Sequence, residues 1–220
     1  MGQANPCPIC HARFLPLNPP ADERAYRSCP NCQWIVLDKA WVPSLEKQKE
    51  RYLQHENSPE NPGYIEMFEE FIRVCVDPFV AGGKRILDYG CGPEPVLADL
   101  LTKRGYAVDT YDLFFKPDEN YKTQKYNLII LTEVLEHLEN PITVLRVLSE
   151  RLEPQGVISI MTLFHPNDSE KFSKWWYRRD ITHISFYTLM TLREIAQVLG
   201  MDLIFSGSER MAVMRLERLK

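Results

Sequence analysis

The sequence predicts an α/β fold: a doubly wound, largely parallel sheet with an antiparallel edge, preceded by a small appendage organised by cysteines. Three observations carry this. Strand and helix patterns alternate from residue 85 onward, the rhythm of a parallel sheet covered on both faces. The apolar pair Ile86-Leu87 runs into Asp88-Tyr89-Gly90-Cys91-Gly92-Pro93, a strand that breaks into a tight turn. Cys7, Cys10, Cys29 and Cys32 form two C-x-x-C pairs with eighteen residues between them.

Size and composition set the outer limits. A chain of 220 residues suits one full domain plus a small addition. Its 45% hydrophobic and 25% charged content is that of an ordinary globule with a substantial core. No apolar run approaches the roughly 20 residues needed to cross a bilayer. The start, Met1-Gly2-Gln3-Ala4-Asn5, lacks the basic and apolar stretches of a signal peptide, so the cytoplasm is the expected compartment. A net charge of −4 gives the whole molecule no attraction for polyanions.

The elements follow in order. Four thiolates in two C-x-x-C pairs suit tetrahedral Zn²⁺ with no open position, a structural site, so residues 1–42 read as a zinc ribbon. A redox pair or disulfides are the alternatives, and two pairs, each with proline after the first cysteine, favour zinc. His11, beside Cys10, is a surface residue or a substitute ligand. Residues 1–80 carry eight Lys/Arg against eleven Asp/Glu, which favours bracing a neighbour over clamping nucleic acid. Residues 43–83 form a helical linker or cap: a helix over 43–54, a break through Pro59 to Gly63, and an amphipathic helix over 64–76. Gly82-Gly83 marks the entry to the main domain, residues 84–220. Strands are expected at 85–89, 106–112, 126–132, 157–163, 201–205 and 212–216, with helices at 95–104, 141–152 and 191–199. Only thirteen residues, 113–125, separate the second and third of these strands. That is too few for a helix–strand–helix connection, so a strand is missing there.

The glycine turn lets backbone approach a ligand closely. Asp112, twenty residues past Gly92, sits where nucleotide-binding folds hold a ribose. Two glycines rather than three, followed by Pro93-Glu94-Pro95, argue against a pyrophosphate, which Glu94 would repel. A ligand with a sulfonium and an amino acid but no phosphate suits the turn better, which favours S-adenosylmethionine.

With Ile86–Gly92, Asp112, the run Tyr126-Asn127-Leu128-Ile129-Ile130-Leu131-Thr132-Glu133-Val134-Leu135-Glu136-His137-Leu138-Glu139-Asn140-Pro141, and Leu152-Glu153-Pro154-Gln155-Gly156-Val157-Ile158, the chain resembles the class I S-adenosylmethionine-dependent methyltransferases over residues 84–217. The resemblance implies a Rossmann-like methyltransferase sheet without its third strand. It implies that Asp88 and Gly90 lie against the methionine portion and that Gly92 admits the backbone. Asp112 would then hold the ribose, Leu113 would lie beside the adenine, and Thr132 and Glu133 would face the methyl donor. Family members usually carry a third glycine where this chain has Glu94.

Methyl transfer needs an aligned acceptor and a base. His137, after the strand 126–132, and His183, in the long later segment, are the candidate bases. Glu133, Glu136, His137 and His183 together are also similar to the metal site of small-RNA 2′-O-methyltransferases and ubiquinone-biosynthesis O-methyltransferases, which would hold Mg²⁺ or a similar ion. The stretch 171–179 interleaves four bases with four aromatics. It serves as a lid over a small acceptor or as a stacking clamp for RNA. Tyr52 and His55 read as helix packing, with a part in closing the pocket as the alternative, and Cys75 and Cys91 as small apolar fillers. The leading expectation is O-methylation of a small hydroxylated acceptor. The alternatives are an RNA methyltransferase and a cofactor-binding regulator without catalysis.

Overall fold

Six strands in the order β5-β4-β6-β7-β10-β9 form the central sheet, and a second sheet of four short strands stands against it. The computed structural model describes residues 6–17, 24–54, 60–80 and 84–217. The expected breaks at Pro59 and Gly82-Gly83, and His55, lie outside the described residues.

The amino-terminal region contributes β1 (Leu15–Leu17), β2 (Tyr26–Ser28) and β3 (Ile35–Leu37), paired antiparallel. Each C-x-x-C pair closes a similar turn. The amides of His11 and Gln33 donate to the carbonyls of Cys7 and Cys29 at 2.9 and 3.0 Å. Both residues take a left-handed φ, 60° and 63°. The four sulfurs lie within 4.8 Å of one another, and all six cysteines are free thiols. Zn–S bonds of about 2.3 Å place tetrahedral sulfurs nearly 4 Å apart, so the cluster is compatible with a structural zinc.

Helix α1 (Leu45–Tyr52) starts at Ser44, whose hydroxyl accepts from the Lys47 amide. Helix α2 (Pro62–Cys75) starts at Asn61, so Pro62 and Gly63 belong to the helix rather than to the break before it. Proline suits a first turn, where its missing N–H has no partner to lose. Phe68, Phe71, Ile72 and Cys75 form the buried stripe of α2.

The main sheet then builds as β4 (Arg85–Tyr89), α3 (Val96–Lys103), β5 (Ala107–Tyr111), β6 (Tyr126–Thr132), α4 (Pro141–Ser149) and β7 (Leu152–Met161). Short elements α5 (Ser169–Lys174) and β8 (Ser185–Phe186) precede α6 (Leu189–Val198), β9 (Met201–Gly207) and β10 (Met211–Leu216). Strands β5, β4, β6 and β7 run parallel, and β10 is antiparallel to both β7 and β9. Among the described residues β5 is the edge, and a 3-10 turn at Glu119–Thr123 fills the connection where a third strand would lie.

Alternating side chains of β6 divide the core into two layers. Leu128 and Ile130 pack with α2 and α3, whereas Ile129 and Leu131 pack with α4 and α6. The second layer also takes in Ile9, Phe14 and Trp34 of the amino-terminal region. The fourth strand of the small sheet is β8: Ile35 pairs with Phe186 and Val36 with Ser185. No sequence pattern announced that strand.

Two of the boundaries that differ from expectation have a local cause. Strand β7 begins at Leu152 rather than residue 157, because Leu152 already pairs with Tyr126 before a register shift. Helix α6 begins at Leu189 rather than residue 191. Thr191 is the inner member of a capping box with Thr188, so it lies inside the first turn.

Purified protein is expected to carry about one zinc per chain by elemental analysis, and exhaustive chelation is expected to lower its unfolding midpoint. Metal-free protein with an unchanged midpoint would contradict this.

Candidate active site

The sequence Asp88-Tyr89-Gly90-Cys91-Gly92 leaves β4 at its carboxyl end with φ of 86° at Gly90 and 68° at Gly92. The Gly90 and Cys91 amides donate to the Tyr111 carbonyl at 2.7 and 3.1 Å, which fixes the turn against β5. A Cβ on Gly90 would collide with the Val134 side chain. Asp112 joins the two loops. One of its oxygens accepts from the Gly92 amide at 3.0 Å, and the other from the Phe114 and Phe115 amides at 2.8 and 3.1 Å. Leu113 next to it is 57% exposed at the pocket mouth.

Asp88 is 1% exposed, and neither carboxylate oxygen has a hydrogen-bond partner among the described residues. Burial pushes its carboxyl up to about 7. A buried, unpartnered acid is costly, which makes Asp88 a candidate ligand contact.

These groups open onto a cavity of about 1030 Å³ that continues past Thr132 and Glu133 to His137, Tyr177 and His183. That volume is large enough for a nucleoside and a second small molecule together. On the far side, Tyr177 Oη lies 2.9 Å from Glu133 Oε2 and 2.5 Å from Glu136 Oε1. Thr162 Oγ1 donates to the other Glu136 oxygen at 2.9 Å. Burial pushes the Glu133 carboxyl up to about 8, reinforced by the neighbouring Glu136, and burial raises Glu136 as well. Glu133 is itself held at a φ of 53° while its amide donates to the Met161 carbonyl at 2.8 Å. The turn out of β6 is thus strained and aimed inward.

The two histidine rings stand 4.9 Å apart. His137 Nδ1 is 2.9 Å from the Thr182 carbonyl and His183 Nδ1 is 2.7 Å from the Tyr177 carbonyl. A carbonyl oxygen only accepts, so each Nδ1 carries a proton. Glu136, His137 and His183 each offer a ligand atom within 4.8 Å of the others.

All the residues singled out from the sequence around the turn (Asp88, Gly90, Gly92, Asp112, Leu113) and beyond it (Thr132, Glu133, His137, His183) line this one cavity, and Glu136 stands fully buried behind it. Tyr52 lines it too, its ring edge-on to His137 at 5.0 Å, the position of the alternative reading in which it helps close the pocket. Tyr177 and Thr162 were not identified as partners of the glutamates, since nothing local pairs them with residues 26 to 44 positions away. Glu94 is exposed at the rim, away from Asp88. Cys91 sits in the turn with its thiol pushed up to about 12 by burial, and Cys75 is fully buried in the core. Within 171–179, Arg178 is 3% exposed, its guanidinium 5.3 and 5.6 Å from the Tyr26 and Phe172 ring centroids, while Lys171, Lys174, Trp176 and Arg179 remain exposed.

A family model described as a methyltransferase domain matches residues 51–204. The chain belongs to this methyltransferase family. Ubiquinone biosynthesis O-methyltransferases are similar over a shorter span. The one from Salmonella paratyphi A is 26% identical over 105 residues, covering 37% of this chain and 43% of the relative. The one from Aeromonas salmonicida is 29% identical, with 37% and 44% coverage. The matched span is therefore less than half the length of these relatives. Among solved structures, an O-methyltransferase family protein from Burkholderia thailandensis superposes with a TM-score of 0.57 at 11% identity, covering 77% of this chain and 62% of that one. A magnesium protoporphyrin IX methyltransferase from Synechocystis PCC 6803, solved with bound SAH, gives 0.50 at 13% identity, covering 81% and 98%. The fold and the S-adenosylmethionine-dependent methyltransferase class expected from the sequence both stand. No helix among the described residues of this methyltransferase is long and apolar enough to cross a membrane.

Gly90→Ala puts a methyl group against Val134 at a left-handed φ. It is expected to cost about 1–3 kcal/mol in chemical denaturation. An unchanged midpoint would show that the turn yields.

Proposed function

We propose that the protein transfers a methyl group from S-adenosylmethionine to a hydroxyl of a small aromatic acceptor. The observation that carries the donor half is Asp88: a buried carboxylate without a partner, facing a cavity beside a glycine turn. The donor's α-ammonium supplies the hydrogen bonds that Asp88 lacks. Gly90 and Gly92 let the backbone approach the methionine portion. Asp112 receives the ribose hydroxyls on the lone pairs that its three amide partners leave open, and Leu113 covers the adenine. Thr132 and Glu133 stand between donor and acceptor.

The acceptor half rests on the rim and the histidines. Tyr52, Phe114 and Trp176 give the cavity aromatic walls, and Arg179 adds a positive edge, which suits a flat hydroxylated ring. The donor supplies an electrophilic methyl on a sulfonium. The acceptor oxygen forms the new C–O bond as the C–S bond breaks, and its proton passes to His137 Nε2. His137 is the less buried of the two histidines, and its Nδ1 contact to Thr182 holds the tautomer that accepts there. Four cysteines gathered around one point as metal ligands suit a reducing compartment, which supports a cytoplasmic reaction.

The cluster of Glu136, His137 and His183 supports a second reading of the same step. Its donor set fits a divalent ion, because both imidazoles are oriented by second hydrogen bonds, as metal-bound histidines are. Glu136, His137 and His183 would hold the ion with Glu133 beside them, and the ion would acidify the acceptor hydroxyl. Two nitrogens favour a manganese-, iron- or zinc-type ion over Mg²⁺, which prefers oxygen. A rate that rises on adding manganese to protein already loaded with zinc supports this reading, and an unchanged rate removes it.

Incubation with methyl-labelled donor and cell extract is expected to place label in the small-metabolite fraction. Label in RNA or protein instead would overturn the acceptor class, and no transfer to any fraction would favour a cofactor-binding regulator. Asp112→Ala, which also unties Gly92, is expected to weaken donor binding at least about tenfold in calorimetry. Retained affinity would remove the role of Asp112.

Donor affinity should also depend on pH. Asp88 sits at about 7 in the free protein, and a cationic ligand needs it ionised. Affinity therefore rises with pH up to about 7 and levels above it. Asp88→Asn should bind weakly with a flat profile, whereas a wild-type profile that is already flat would contradict the Asp88 contact.

A further inference from the structure

The amino-terminal sheet reaches the acceptor side of the pocket by a defined route. Trp34 Nε1 donates to Ser185 Oγ at 2.8 Å, Ser185 Oγ is 2.6 Å from Tyr187 Oη, and Tyr187 Oη donates to the Leu135 carbonyl at 2.8 Å. The direction of the chain is fixed by its ends, because an indole N–H only donates and a carbonyl only accepts. Trp34 follows the second cysteine turn, and Leu135 directly precedes Glu136 and His137. Trp34, Ser185 and Tyr187 are each 2% exposed or less, so water does not compete for these bonds.

A parallel backbone route runs beside it. The Leu37 amide donates to the Ile184 carbonyl at 2.7 Å, and the Ile184 amide donates to the Glu136 carbonyl at 2.8 Å. Ile184 is the neighbour of His183, so one peptide links β3 to both histidine-bearing segments. The second cysteine turn is also pinned to the start of α6: Thr191 Oγ1 donates to the Cys32 carbonyl at 2.8 Å and Thr188 Oγ1 to Gln33 Oε1 at 2.9 Å. His165 Nε2 lies 2.8 Å from the Gln33 carbonyl. By contrast, the bonds that shape the donor side run from Gly90 and Cys91 to Tyr111 and from Gly92 to Asp112, and none of them passes through the amino-terminal sheet.

We propose that Trp34 is a positioning residue for the acceptor side: through Ser185 and Tyr187 it sets the turn carrying Glu136 and His137, and the donor side is independent of it. The amino-terminal sheet is on this account part of the catalytic framework and not a separate binding module. The proposal rests on the acceptor-side role given above to His137 and His183. The structural coupling itself is measured independently of that role.

Tyr187→Phe deletes only the hydroxyl that reaches Leu135, and Trp34→Phe deletes the donor at the other end. Phe14→Leu, which loosens packing against Trp34 (ring centroids 5.7 Å apart) and leaves the hydrogen-bonded chain intact, is the control. Amide hydrogen exchange is read at Leu138 and Ile184, whose N–H groups bond to Leu135 and Glu136, and at Gly90 and Cys91. Both chain variants are expected to speed exchange at Leu138 and Ile184 about tenfold, the effect of one lost buried hydrogen bond. Gly90, Cys91 and the donor Kd are expected to stay within about twofold, while kcat falls. Unchanged exchange at Leu138 and Ile184 overturns the proposal. So does an equal rise at Gly90 and Cys91, or the same local pattern in Phe14→Leu, since each reduces the effect to general stability. If wild-type protein binds no donor and transfers no methyl, the functional reading fails while the exchange measurement still decides the coupling.

Discussion

Strand β6 must be buried on both faces, and most of the molecule follows from that requirement. Leu128, Ile129, Ile130 and Leu131 are all fully buried, and each such side chain contributes about 1.5–3 kcal/mol when removed from water. Two layers are needed to cover it. Helices α2 and α3 supply one, and α4, α6 and the cysteine-bearing sheet supply the other. The cover stops at Thr132, where the apolar run ends. In the turn that follows, Val134 and Leu135 are still buried apolar side chains, but Glu133 and Glu136 beside them are carboxyls, and Glu136 is fully buried.

That burial explains the polar cluster. Glu133 and Glu136 are carboxyls in a place built for hydrocarbon, and Tyr177, Thr162 and each other are the partners that make the burial tolerable. Asp88, opposite Ile130 on the adjacent strand, has no hydrogen-bond partner among the described residues. The two sides of the cavity therefore differ in kind. One is satisfied by the protein, and the other is left for a ligand.

Much of this was legible in the residues. The run 126–132 announced a strand by its continuous apolar character, the glycines announced a turn, and the cysteine spacing announced a four-sulfur cluster. Each signal is local, set within a few positions by periodicity or by ligand spacing. What escaped was set by distant partners. β8 is two residues long and has no period to detect, yet it completes the small sheet. Tyr177 looked like one aromatic in a basic stretch, and only the fold brings it to Glu133 and Glu136, over 40 positions away. Arg178 read as part of a lid or a stacking clamp, and it is instead buried against the rings of Tyr26 and Phe172, which come from different segments. Asp112 was identified by its distance from Gly92, but its hold on that glycine's amide needed coordinates.

The pairing of β3 with β8 also orders events in time. Trp34 and Ser185 are separated by 151 positions, so their bond closes a loop longer than most of the chain. Such distant contacts form late, because the intervening chain must first give up its freedom. During synthesis the cysteine turns emerge first and can gather their sulfurs locally, but their sheet lacks its last strand until residue 186 has left the ribosome. For most of translation the apolar face of Ile35, Leu37 and Tyr26 lacks the cover later given by Phe172, Tyr177, Ile184 and Phe186, which leaves it open to aggregation until that segment arrives.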